Sequence, residues 1–228
     1  MKQTFFFLLT AAVLVASPVR SEADEEVTCR NLQIYYDTAR LEEELLLVAN
    51  DYMPRQIDRE NWMAIPLRNA AGTNTRDGVE LYRALKKGRM LPCKNNEFLE
   101  KLPYISSIIE DIAERFAAEV GLVRLSKVPS QKVIARHSDG LPFDFHNGTI
   151  YRLHIPILTG NDVLFEIGGK NLHLLPGYLY YTNVVKPHAV YNNGLLDRVH
   201  LVIDVHANPY LHTLILSSPE VPTNDQKE

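Results

Sequence analysis

Beyond Leu122 the apolar residues of this chain stop recurring every three or four positions and begin to alternate. That change divides the chain physically, because side chains return to one face about every 3.6 residues on a helix and every two on a strand. Before the change, the run TARLEEELLLVAND sets Leu41, Leu45 and Val48 on one helical face between Asp37 and Tyr52, with Asp37 or Thr38 placed to cap it. Residues 77–87 and 96–120 carry the same period. In the second, Ile105, Ile108, Ile109, Ile112 and Phe116 form a stripe ended by Gly121, as expected of helices docking on a sheet. After the change come short β-branched and aromatic runs: 132–136, 151–158, 163–167, 171–175, 178–183, 189–191 and 198–205. Turn signals such as Gly168-Gly169, Pro176-Gly177 and Asn192-Asn193-Gly194 separate them.

The pattern predicts an α+β, mainly β fold: a cupin-like jelly roll or sandwich packed by N-terminal helices. The boundaries read as a helical portion over 24–121, a β core over 122–217 and a frayed tail over 218–228. A chain of 228 residues that is 46% hydrophobic suits one such core. The first 23 residues are a different object. Lys2 precedes the apolar run from Phe5 to Ala16, and Ser21-Glu22-Ala23 offers small residues for cleavage, so a secretory signal is expected. The destination would be a eukaryotic secretory lumen or a bacterial periplasm. The run falls short of the roughly 20 residues that span a bilayer, so no stable membrane anchor is expected. Export would let Cys29 and Cys93 pair, although free buried thiols suit the sequence equally. Asn147-Gly148-Thr149 is a glycosylation sequon. A net charge of -4 gives no reason to expect nucleic acid as a partner.

Strand periodicity decides which polar residues share a face. His137 and Asp139 are two apart, as are Arg152 and His154, and Arg198 and His200, while Val199, Leu201 and Ile203 take an oily opposite face. Such a face is costly to bury against a helix and easier to place inside a barrel with a metal, water and an anion. Two imidazoles and a carboxylate on one side of Fe(II) leave positions open for a bidentate co-substrate and dioxygen. His137, Asp139 and His188 are the candidate ligands. A 2-oxo acid with a distal carboxylate also needs a cation several ångströms away, and Arg198, ten residues after His188, has the planar fork for it. His146, His173, His206 and His212 fall outside the pattern. Trp62, in NWMAIPLR, is a candidate cleft wall, although a lone Trp is more often core.

The segments LSKVPSQKVIARHSDG, YRLHIPILTGNDVLFEIGG, LLPGYLYYTNVVKPHAVYNNG and DRVHLVIDVHANP, between Leu125 and Pro209, resemble the aspartyl/asparaginyl beta-hydroxylase family. The resemblance implies a double-stranded β-helix and an Fe(II)/2-oxoglutarate-dependent dioxygenase that releases succinate and carbon dioxide. It matches His137 and His188 to metal ligands, and Ser126, Arg152, His154 and Arg198 to residues that contact 2-oxoglutarate. The animal member of the family has glycine at the position of Asp139, so the complete H-x-D here resembles the bacterial-type members. The longer insertion between Asp139 and Arg152 reads as either a lid or a solvated loop. The implied substrate is an aspartyl or asparaginyl residue of a protein, or a free amino acid, acting with 2-oxoglutarate and dioxygen. A non-catalytic jelly-roll binding module and a zinc-dependent cupin enzyme stay open as alternatives at this point.

Overall fold

The structure is a computed structural model that describes residues 27–55, 58, 60–74, 84 and 91–224. The predicted signal at 1–23 and the predicted helix at 77–87, apart from Ala84, lie outside the described residues. Two antiparallel sheets enclose the interior of a jelly roll. The larger runs in the order β1 (Cys29–Tyr35), β10 (Tyr178–Thr182), β7 (Ile150–Leu158), β12 (Arg198–His206), β5 (Val120–Val128), β3 (Met63–Asn69) and β2 (Met53–Pro54), with β4 (Lys94–Asn95) also on β3. The smaller is β6 (Lys132–His137), β11 (His188–Asn192), β8 (Val163–Ile167) and β9 (Lys170–Leu172).

Alternation along the central strands builds two interiors at once. Leu153, Ile155 and Ile157 of β7, Leu201 and Ile203 of β12 and Val123 and Leu125 of β5 point outward into the main apolar core. That core is closed by helices α1 (Thr38–Leu47), α2 (Glu97–Glu100), α3 (Pro103–Phe116) and α4 (Pro209–Ser217). The opposite faces of the same strands line the space between the sheets, where Val128, Ile134, Phe165, Ile167 and Val190 form a second cluster. One face is oily and the other polar because the period is two.

The N-terminal portion departs from its expected helical character. Its residues supply β1 to β4, and β1 and β3 flank the central strands of the larger sheet. Pro66 hides β3 from the sequence pattern, since proline cannot donate to a ladder; it sits where the pairing with β5 shifts register. β5 is likewise a strand outside the predicted set. The predicted helix over 96–120 is two helices, because Pro103 has no N–H to continue α2 and instead opens α3. α3 ends at Ala117, held at φ 46°, ahead of Gly121, which lies in β5. Cys29 and Cys93 are both free and buried, in separate clusters.

The helices brace one another through their ends. Asp37 caps α1, its carboxylate accepting from the N–H groups of Ala39 and Arg40. Leu102, which precedes α3, has no side chain that can cap. The buried Glu44 of α1 does so instead, accepting from the backbone N–H of Tyr104 at 2.6 Å and of Ile105 at 2.9 Å. Tyr104 returns the contact, its hydroxyl oxygen accepting from the Asp37 N–H at 2.8 Å. Glu44→Ala should therefore cost about 2 kcal/mol in urea unfolding. The same change at the neighbouring exposed Glu43 should cost less than about 0.5 kcal/mol.

Candidate metal centre and anion pocket

β6 and β11 pair so that His137 and His188 lie directly opposite, with ring centroids 4.2 Å apart. The Nδ1 of His137 is 2.9 Å from the carbonyl oxygen of Ala135, and that of His188 is 3.0 Å from the carbonyl oxygen of Lys186. A carbonyl can only accept, so each ring carries its proton on Nδ1 and keeps the Nε2 lone pair for a metal. Asp139 follows just past the end of β6, fixed by its own N–H donating to the Val184 carbonyl at 2.8 Å. Ligand atoms of His137, Asp139 and His188 all lie within 4.8 Å of one another, a spacing one ion can bridge. Burial pushes the His188 imidazole down to about 4, so it is neutral near pH 7.

The carboxylate has its own support. Arg152, on the inner face of β7, pairs through Nη1 with Asp139 and grips the buried Asp204 of β12 from its other edge, at 2.7 and 2.9 Å. Its guanidinium also lies over the Phe143 ring, 4.2 Å from the centroid. Burial alone would raise the Asp139 carboxyl, but Arg152, with His188 and Arg124, overcomes that and holds it below the usual carboxylate range.

A second group of polar residues, Arg124, Ser126, His154 and Arg198, lines the same cavity. Arg198 is 2% exposed and donates through Nη2 to Nδ1 of His200 at 2.7 Å, so His200 bears its proton on Nε2. Burial, then the charge of Arg198, pushes both His154 and His200 far below the usual imidazole range, and burial lowers Arg198 itself to about 9. Nε of Arg198, Nε2 of His154, Nε2 of His200 and Nε of Arg124 are buried without a hydrogen-bond partner among the described residues. Each guanidinium N–H among these costs about 1–3 kcal/mol if left bare, which an incoming carboxylate would relieve. Ser126 accepts from the indole N–H of Trp62 at 2.8 Å, which leaves the hydroxyl hydrogen free to donate. Trp62 itself stands at the cleft, 5.8 Å between its ring and that of His137.

All seven residues singled out in the sequence line this one cavity: Ser126, His137, Asp139, Arg152, His154, His188 and Arg198. Arg152 differs from the expectation in its engagement, since two carboxylates already occupy its guanidinium. Arg124, Asp204 and His200 take part without having been assigned. The two-residue period would have found them, because Arg198, His200 and Asp204 share a face, as do Arg124 and Ser126. The insertion after Asp139 is a packed wall: Phe143 and Phe145 are buried, and Phe145 stacks on His212 with centroids 4.4 Å apart. Gly148 lets it fold back, since a Cβ there would stand 2.3 Å from the Asp144 carbonyl oxygen. Asn147 is exposed at its tip.

The family model for aspartyl/asparaginyl beta-hydroxylase matches residues 29–208. The chain belongs to this family. A curated relative, L-proline cis-4-hydroxylase of Rhizobium meliloti (strain 1021), is 26% identical over 181 residues, 78% of this chain and 60% of that protein. This chain thus spans about 60% of the length of that relative. Among solved structures, an oxidoreductase of the 2OG-Fe(II) oxygenase family from Burkholderia pseudomallei is 13% identical with a TM-score of 0.52, covering 80% of this chain and 86% of that one. That likeness is one of fold, and it is the jelly roll. The family's cofactors are iron(II) and 2-oxoglutarate, and in this beta-hydroxylase-family chain His137, Asp139 and His188 are the candidate iron site.

If Arg152 orients Asp139 through Asp204, then Asp204→Asn should weaken Mn(II) binding on the order of tenfold without unfolding the protein. Metal titration beside circular dichroism checks it.

Proposed function

We propose that this protein is an iron(II)- and 2-oxoglutarate-dependent hydroxylase acting on an aspartyl or asparaginyl residue or a free amino acid. One observation carries the reading: a two-histidine, one-carboxylate cluster opens into the same cavity as a buried arginine whose Nε has no partner among the described residues. Bound iron would supply the chemistry that couples oxidative decarboxylation of 2-oxoglutarate, to succinate and carbon dioxide, with insertion of one oxygen atom into an unactivated C–H bond. The relative's name adds a cyclic amino acid, L-proline, to the candidate substrates.

The residues divide the work. His137 and His188 present Nε2, and Asp139 presents a carboxylate that Arg152 and Asp204 hold ionised and oriented. Arg198 takes the distal carboxylate of the co-substrate, with Ser126 donating its free hydroxyl hydrogen beside it. His154, neutral, adds a polar edge to the cavity without adding charge, and the neutral His200 stands behind Arg198. Trp62 and Phe165 form apolar walls that keep bulk water from the reacting positions and so strengthen each of these contacts. A merely structural jelly roll would gain nothing from bare buried donors, and a zinc hydrolase would not require the second cationic group. The leader at 1–23 supports an exported protein, working in a secretory lumen or periplasm; N-terminal sequencing of the mature protein would then begin at Asp24.

Purified protein with Fe(II), 2-oxoglutarate and oxygen should release succinate, and His137→Ala should abolish both metal binding and succinate formation. Arg198→Gln should raise the KM for 2-oxoglutarate on the order of 100-fold, since it removes the charge partner of a buried carboxylate. Oxygen-independent activity with tightly held zinc would overturn the reading.

A further inference from the structure

Arg124 is the cation in the cavity that the proposed function leaves without a ligand. It lies on β5 two residues before Ser126, on the same inner face, and is 8% exposed. Its side chain lines the cavity with Asp139 and His154, and its Nε is buried without a partner. Across the sheet its neighbours are Val202 and Pro66, neither of which has an accepting side chain. No carboxylate pairs with it among the described residues. A guanidinium buried in this way is expensive unless an anion arrives to meet it.

The charges of the filled site say how much anion is still needed. Iron(II) with Arg124, Arg152 and Arg198 is met by Asp139, Asp204 and the two carboxylates of 2-oxoglutarate, and His154 and His200 are neutral. One positive charge remains. Arg152 is engaged by Asp139 and Asp204 and Arg198 is assigned to the distal carboxylate, so the surplus falls to Arg124. We propose that Arg124 binds a carboxylate of the substrate, making this protein a hydroxylase of acids that discriminates against the corresponding amides. The carboxylate can belong to a free amino acid or to an aspartyl side chain, and the recognising chemistry is the same. By this rule an asparaginyl residue is a poor substrate and an aspartyl residue a good one. The inference rests on the reading that Arg198, and not Arg124, holds the co-substrate.

The test uses the full-length mature protein loaded with Mn(II) and 2-oxoglutarate, titrated calorimetrically with matched pairs: L-proline and L-prolinamide, the N-acetyl amides of aspartate and asparagine, and acetate and acetamide. At least one acid should bind about tenfold or more tightly than its amide, a difference typical of one charged hydrogen-bonded contact. Arg124→Gln should bring that ratio to within about threefold of unity, and Arg124→Lys should restore part of it. In parallel, 2-oxoglutarate affinity for the Mn(II)-loaded protein should fall in Arg198→Gln and stay within about threefold of wild type in Arg124→Gln. If no acid exceeds its amide, whether both bind or neither does, the proposal is overturned. It is equally overturned if Arg124→Gln weakens 2-oxoglutarate tenfold, which would make Arg124 a co-substrate cation. Unchanged 2-oxoglutarate binding in Arg198→Gln would instead sink the co-substrate assignment on which it rests.

Discussion

The buried guanidinium of Arg152, set between the carboxylates of Asp204 and Asp139, is the contact around which the polar interior is organised. A cation at that depth is tolerable only because two anions flank it, and Asp139 stays ionised chiefly because the cation is there. Asp204 is 1% exposed, so it too depends on the pairing. The three residues come from β7, β12 and the segment just beyond β6, which ties the larger sheet to the edge of the smaller one. A polar interior with this many charges survives inside a jelly roll because the oily faces of the same strands supply the main hydrophobic core.

Much of this was legible in the alternation of polar and apolar residues. The seven C-terminal strands lie close to where the period placed them, and His137, Asp139 and His188 converge as the H-x-D spacing and the resemblance implied. The less legible parts depend on partners far away in the chain. Arg152 meets Asp204 across 52 residues, and nothing local in Arg152-Leu153-His154 distinguishes an arginine gripping a carboxylate from one awaiting a ligand. Glu44 reads as one more charge in a run of glutamates, yet it caps a helix 60 residues on. β1 and β3 escaped because their flanks look helical and Pro66 interrupts the second, while their pairing is decided by β10 and β5.

The two imidazole pairs show how environment divides one residue type between tasks. His137 and His188 each have a carbonyl behind Nδ1, which aims Nε2 at the cluster. His154 and His200 face each other's Nδ1 at 3.3 Å, and the donation from Arg198 settles which ring nitrogen of His200 is bare. The backbone thus sets the ligands and an arginine sets the polar wall. Strand sequences alone carry neither instruction, because tautomers are chosen by whatever stands behind the ring.

The ring of Phe143 under the Arg152 guanidinium joins two things usually considered separately. The insertion that carries Phe143 packs behind the cleft, against Val184 of its lining, while Arg152 steadies a carboxylate of the candidate metal cluster. Any redesign of this insertion would therefore also be felt as a change in how firmly that carboxylate is held. In this scaffold the packing of a loop and the posture of a candidate ligand share a residue, and a lineage or an engineer altering one must re-tune the other.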